Sequence, residues 1–447
     1  MQPCERPWSQ LSSAEKHECR WAEFVDPNVE FVSPEARAEY RARAGRLKKA
    51  ILLEGDPDRV PVCGLTGFYP GFRGGLTPYD AMYDYEKAAE AWLSCNRDFQ
   101  PDSLMGPIFS AIPGRAFDIL DVRSFHWPGH GTAKHAGFQY NEQEWMRADE
   151  YDLLIDDPTD YLLHVYLPRT VAGLEGFASL ASPLDMIEMA ASPPYLMRWA
   201  RPEVQASLEK LVAAGRECDR WAATLFPVIS QLMVEGLPAP IGALSLAPFD
   251  FLGDTLRGTR GIMTDMFRRP DTLLEACDRV APIVTKWVTR GATPQTPPLV
   301  FIPLHKGADG FMNLDQYKTF YWPSLRKVIV GLIEDGFVPY LFAEGGYNSR
   351  LEIIRDLPAG KTVWHFDQTD MRKAKEVLAG VACIQGNVPL SLLQLGTADE
   401  VTSYCRDLIE AVAPGGGFIL DMGAGADEGK EANMRAMIQA AKDYGVY

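Results

Sequence analysis

The sequence predicts an α/β protein: a (β/α)8 TIM-type barrel with an N-terminal extension and long loops. Three observations predict it. Apolar runs of strand length alternate with amphipathic helices through the C-terminal half, the pattern of a parallel sheet buried on both faces. Each run ends in polar residues able to do chemistry, and a closed barrel brings the carboxyl ends of all its strands to one rim. No GxGxxG or P-loop pattern follows a strand, so a nucleotide-binding sheet has no support.

Bulk properties agree. The 447 residues accommodate one decorated barrel, and 47% hydrophobic with 23% charged residues is enough to bury a sizeable core. A net charge of −16 disfavours nucleic-acid and anionic-membrane surfaces, which need clustered Lys and Arg. The most apolar stretch, Trp221 to Phe249, is interrupted by Glu235 and by Pro227, Pro238, Pro240 and Pro248, so it falls short of a membrane span. No CxxC pair or regular spacing joins the eight cysteines, and no apolar leader opens the chain; both read as a cytoplasmic protein with reduced thiols.

In chain order, residues 1–32 lack periodicity and read as an arm. Ser33-Pro34-Glu35 opens a helix with an N-cap hydroxyl, a proline at the first position and a first-turn carboxylate; Gly55 stops it. Asp58 to Cys63 reads as a buried strand. The division expected is an arm and leading helix over 1–45, then a barrel over 46–447 with a helical and loop insertion around 64–240. Residues 64–150 are loop-rich and 150–235 helical, with breaks at Asp157-Pro158 and Ser192-Pro193-Pro194. Strands follow at Leu299–Leu304, Val338–Ala343, Thr362–Trp364, Val381–Ile384 and Phe418–Leu420. Helices lie between them at Pro323–Glu334, Leu351–Asp356, Met371–Leu378 and Ala398–Val412, the last opened by a capping box at Thr397 and Glu400.

The strand ends supply the candidate site. His305, Lys306 and Asp309 follow the first of the five strands, and Glu344-Gly345-Gly346 the second. His365, Asp367 and Asp370 follow the third, Gln385-Gly386-Asn387 the fourth, and Asp421 the fifth. A carboxylate at a buried strand end needs a partner, and the glycines after Glu344 admit a ligand close to the backbone. Asp370 reads as an N-cap. Arg257, Arg260, Arg268 and Arg269 read either as a clamp for a carboxylate or as a salt-bridged surface. His126, His130 and His135 match no common metal spacing and read as part of a substrate lid. Tyr317, Phe320, Tyr321 and Trp322 read as packing.

Several segments carry a resemblance: Arg46-Leu47-Lys48 through Gly55-Asp56-Pro57-Asp58-Arg59-Val60-Pro61-Val62, then Gly386-Asn387-Val388-Pro389, Leu395-Gly396-Thr397 with Glu400-Val401, and Gly417-Phe418-Ile419-Leu420 with Asn433. Together they resemble the uroporphyrinogen-decarboxylase (URO-D) superfamily, nearer its corrinoid-dependent methyltransferase-like branch. The resemblance implies one of two chemistries. One is metal-free decarboxylation of an acidic substrate. The other is methyl transfer involving a corrinoid protein, with zinc held by a His-x-Cys pair and a distant Cys. Here Phe342 and Glu344 stand in place of the His and the first Cys, and Gly423-Ala424-Gly425 where the distant Cys falls. An N/O metal site from His305, Glu344, and His365 or Asp367 remains open. On the decarboxylase side, the basic segment resembles Arg43-Ala44-Gly45-Arg46, and the anchoring carboxylate corresponds to Asp102 or Asp118.

The resulting expectation is a methyltransferase that moves a methyl group from a small methoxylated or methylated substrate to the cobalamin of a corrinoid carrier protein, the alternative being a decarboxylase. Glu344, His305, His365 and Asp367 are the expected catalytic residues, the first three also a zinc set. Asp309, Gln385, Asn387, Arg257, Arg260 and Asp421 are expected to bind substrate. A homodimer is compatible with the reading; nucleic acid and membrane partners are not.

Overall fold

The computed structural model describes residues 6–64 and 66–447. Six parallel strands stand side by side in sequence order: β4 (Ile241–Leu244), β5 (Leu299–Leu304), β6 (Val338–Ala343), β7 (Val363–Phe366), β8 (Cys383–Val388) and β9 (Phe418–Met422). Two extended segments complete the ring. Leu420 N–H donates to Pro61 O (2.9 Å) and Cys63 N–H to Leu420 O (3.0 Å), so residues 60–63 run parallel to β9. Asp102 N–H donates to Val62 O (2.8 Å) and Leu104 N–H to Pro238 O (2.9 Å), carrying the ring back to the residues that lead into β4. Six strands and two segments make the eight-membered barrel. A separate small sheet, β1 (Phe125–Pro128), β2 (Gly131–Thr132) and β3 (Gln139–Tyr140), lies in the long excursion before β4.

Alternation along the strands sorts the core into two layers. Leu341, Ala343, Trp364 and Phe366 face outward and pack with the surrounding helices. Leu299, Val338, Tyr340, Phe342, Val363, Cys383 and Ile419 face inward. The same inner cluster includes Trp21 and Phe24 of the helix Ser13–Val25, and Tyr40 and Leu47 of the helix Pro34–Leu52.

Several expectations need correction. The arm contains a helix, Ser13–Val25, with Ser12 and Glu15 forming a capping box; its apolar positions are too few to show as periodicity. β7 and β8 extend past their expected ends because His365, Gln385 and Asn387 are strand residues whose polar side chains turn into the barrel. Nor is β4 visible in the sequence, lying as it does between Pro240 and Pro248. Cys19 is disulfide-bonded, against the expectation of reduced thiols throughout; a single bridge leaves no spacing pattern. Six other cysteines are free. Asp370 caps its helix as expected, accepting from the backbone N–H groups of Arg372 and Lys373. Among the described residues, no helix is long and apolar enough to cross a membrane.

Candidate active site at the barrel mouth

The site is built on the turn after β4. Asp250 and Asp254 stand four residues apart, hence on one helical face, and a π-helical stretch at Phe251–Leu256 carries the second. Buried Asp250 accepts the backbone N–H groups of His305 and Lys306, each at 3.0 Å, and the Tyr321 hydroxyl at 2.6 Å. Asp254 takes His305 Nδ1 and Lys306 Nζ, each at 2.6 Å. The two aspartates therefore fix both the backbone and the side chains at the end of β5. His305 Nε2 points the other way, 3.6 Å from Glu344 Oε1 at the end of β6.

Burial opposes charge on His305. The hydrogen bond to Asp254 and the carboxylates of Asp250, Asp254 and Glu344 outweigh it, and the imidazole is pushed up to about 9. Asp254 is held below the usual carboxylate range: burial works against this, and His305 with Lys306 prevails. Burial, reinforced by Asp254, lifts Asp250 to about 6. Glu344 is raised by burial and by the carboxylates of Asp367 and Asp254, against the pull of His305. The arrangement sets the Nε2 of an imidazole held by Asp254 beside the Glu344 carboxyl group.

Below and beside this pair the mouth is apolar. Leu244, the register partner of Phe301, is 43% exposed although it sits on a barrel strand. Phe301 contacts Phe342 (centroids 5.9 Å apart), Tyr340 (5.5 Å) and Phe109 (5.7 Å), and Phe109 is 47% exposed. From the small sheet the chain returns across the mouth. Glu142 reaches Lys306 Nζ at 3.1 Å and also bonds Thr259, while Glu144 pairs with Arg257 at 2.6 Å.

The structure divides the expected residues. It brings His305 and Glu344 together, with Asp367 alongside: Asp367 Oδ2 accepts Gly345 N–H at 3.0 Å and fixes the turn that carries Glu344. Gly345 has φ +76°, a conformation L residues rarely adopt. His365 lies deeper. The Tyr340 hydroxyl bonds its Nδ1 and the Met422 carbonyl its Nε2 (2.7 Å), so both ring nitrogens are committed. Gln385 Nε2 links Tyr340 and Asp421 at 3.1 and 2.7 Å, and this polar layer is buried beneath the mouth. Asn387 ties the rim through the carbonyls of Asp367 and Thr369. Asp309 braces the loop at Ser349 and Arg350.

The arginine clamp does not form. Arg257 is buried and its fork is taken by Asp265 and Glu144, whereas Arg260, Arg268 and Arg269 are exposed. Asp102 is fully buried by Arg46 and Arg59, and Asp118 bonds Tyr83 and His130, so neither stands free to anchor substrate. His130 stacks on Trp127 and His135 is exposed; the three lid histidines do not gather. Sequence reasoning missed Asp250, Asp254 and Glu142 and took Tyr321 for packing alone. The Asp-x3-Asp spacing directly after an apolar run was the available signal for the first two.

The family model for uroporphyrinogen decarboxylase (URO-D) matches residues 183–444, more than half of the chain. The chain belongs to the uroporphyrinogen decarboxylase family. The matched span contains all of β4 to β9 and every residue of the mouth except those from the preceding excursion. The solved structure of a methyltransferase from Methanosarcina mazei is similar to this family member with a TM-score of 0.57 at 15% identity, covering 90% of this chain and 98% of that one. At that identity the likeness is one of fold. A search of curated proteins finds no match.

Zinc, which the resemblance to the methyltransferase branch implies, does not fit the residues present. Phe342 packs against Phe301 and His365, and His365 has no free nitrogen. The nearby thiols of Cys63 and Cys383 are buried and pushed up by burial, away from the thiolate a metal needs. Among the described residues no three His, Cys, Asp or Glu side chains converge as a ligand set.

Proposed function

We propose that this family member is a methyltransferase that moves a methyl group from a small methylated or methoxylated organic substrate to a corrinoid carried by a partner protein. The charge state of the mouth carries the reading. Its cations, His305 and Lys306, are already held by Asp254 and Glu142. Decarboxylation of an acidic substrate requires free cations to hold carboxylates; Arg257 is spent on Asp265 and Glu144, and Arg260, Arg268 and Arg269 stand exposed instead of forming a buried clamp.

Methyl transfer needs a group that meets the heteroatom releasing the methyl, and an open rim for the acceptor. Glu344 and His305 supply the first. Asp254 fixes the imidazole, and His305 Nε2–H offers a proton to a leaving oxygen, while Glu344 offers a carboxylate to a charged one. Half-exposed Leu244, Phe109 and Tyr140 supply apolar surface that a corrinoid macrocycle can cover. The corrinoid, when docked, supplies the nucleophile that accepts the methyl group.

The test is an anaerobic mixture of the protein, cob(I)alamin on a carrier, and a panel of methyl ethers and methylated amines, followed by the absorbance change on methylation. Turnover lost in His305→Ala supports the reading. Release of carbon dioxide from a polycarboxylate without corrinoid overturns it.

A further inference from the structure

Resting on the methyl-transfer reading, we propose that the mouth recognises a methylated onium ion, a quaternary ammonium or a sulfonium bearing an apolar group. Four carboxylates surround the mouth, Asp254, Glu142, Glu344 and Asp367, against two cations, His305 and Lys306. Asp250 is not counted, being satisfied by two backbone N–H groups and a phenol. The imbalance falls on Glu344. Its side chain is 44% exposed, and its cationic neighbour, His305, is 3.6 Å away, beyond hydrogen-bond reach. Burial raises its pKa, and the carboxylates of Asp367 and Asp254 add to the rise against the pull of His305.

Geometry distinguishes an organic cation from a metal ion. A divalent cation needs several oxygens converging at about 2.0–2.6 Å, whereas these carboxylates are spread around the rim. A bulky, weakly hydrated cation needs a diffuse negative field and aromatic faces. The faces are present: Phe109 and Tyr140 are exposed, and Phe301 lies between Phe109 and Phe342.

In the transfer the bond from the methyl carbon to nitrogen or sulfur breaks. Its electron pair stays on the heteroatom, which leaves as a neutral amine or sulfide, and the methyl group is taken by the electron pair of the reduced corrinoid. No proton moves. The positive charge held by Glu344 disappears during the reaction, so Glu344 governs binding and therefore KM more than kcat.

Isothermal titration of the full-length protein with phenyltrimethylammonium, anisole and benzoate tests the proposal without any methyl acceptor. The expected result is that the cation binds at least about tenfold more tightly than anisole and that benzoate does not compete. Glu344→Gln weakens the cation about tenfold and leaves anisole binding and the melting temperature unchanged. Phe109→Ala, at an exposed position, weakens the cation severalfold and serves should the first variant fold poorly. Anisole binding as tightly as the cation, competition by benzoate, or indifference of the cation to both variants overturns the proposal. Cation binding with no methyl transfer to cob(I)alamin would instead sink the methyltransferase reading and leave the ligand class standing.

Discussion

The barrel has an ionic cluster at each end, and they are built to opposite specifications. Where the strands begin, Asp102 is fully buried and receives Arg46 Nη1 at 2.6 Å, Arg59 at 2.7 and 2.9 Å, and the Val62 N–H at 2.8 Å. Every lone pair is answered, and Asp58 balances Arg46 from outside. Where the strands end, Glu344 is half exposed, and Asp250, His305 and Glu344 all titrate away from their ordinary ranges. Saturated charge serves as a joint between helix and barrel, and unsaturated charge is available to a ligand. The difference lies in how completely each carboxylate is matched, not in how many charges are present.

The largest expected effect would break the joint. Asp102→Ala leaves two arginines facing a buried void and should cost about 3–5 kcal/mol in urea unfolding; a loss under about 1 kcal/mol would show that the cluster does not hold the barrel together. At the mouth, His305→Ala should lower kcat/KM for methyl transfer from a methyl ether, whose leaving oxygen takes a proton, by about 10²-fold or more while the melting temperature stays within a few degrees. A subtler difference is in pH response. Against the opposing effect of burial, His305 is raised from 6.5 to about 9 by Asp254, Asp250 and Glu344. Its contribution to stability is therefore complete below about pH 6.5 and lost as pH rises through about 9. Urea midpoints between pH 6 and 10 should fall in that window, and Asp254→Asn should flatten the decline. The smallest effect belongs to Glu142, part-exposed on the returning strap. Glu142→Gln should cost less than about 1 kcal/mol but accelerate hydrogen exchange of the amides of residues 139–146.

Legibility in the sequence followed the chemistry of each strand. β5, β6 and β9 were readable because their runs are almost wholly apolar. β7 and β8 were readable only in part, because inward-facing His365, Gln385 and Asn387 look like loop residues until the barrel gives them partners. The pairing of His305 with Glu344 was legible because consecutive parallel strands deliver their ends to one place. His365 was misplaced by the same logic applied one residue too loosely: it belongs to the strand itself, one layer down, where Tyr340 and Met422 claim it. Asp250 and Asp254 went unseen because β4, which aims them, hides among prolines. Glu142 arrives from more than a hundred residues away, a distance no local pattern spans.

The closing seam has a consequence for how this chain comes into being. Val60 N–H donates to Gly445 O at 2.8 Å, and Arg59 bridges Val446, so the first segment of the ring is gripped by residues near 445 as well as by β9. During synthesis that first segment emerges early and waits, unpaired on this side, until nearly four hundred further residues have left the ribosome. Contacts this distant in the chain form slowly and leave sticky edges bare in the meantime. The helices Ser13–Val25 and Pro34–Leu52, made before it and packed on the same core, are placed to shelter it during that interval.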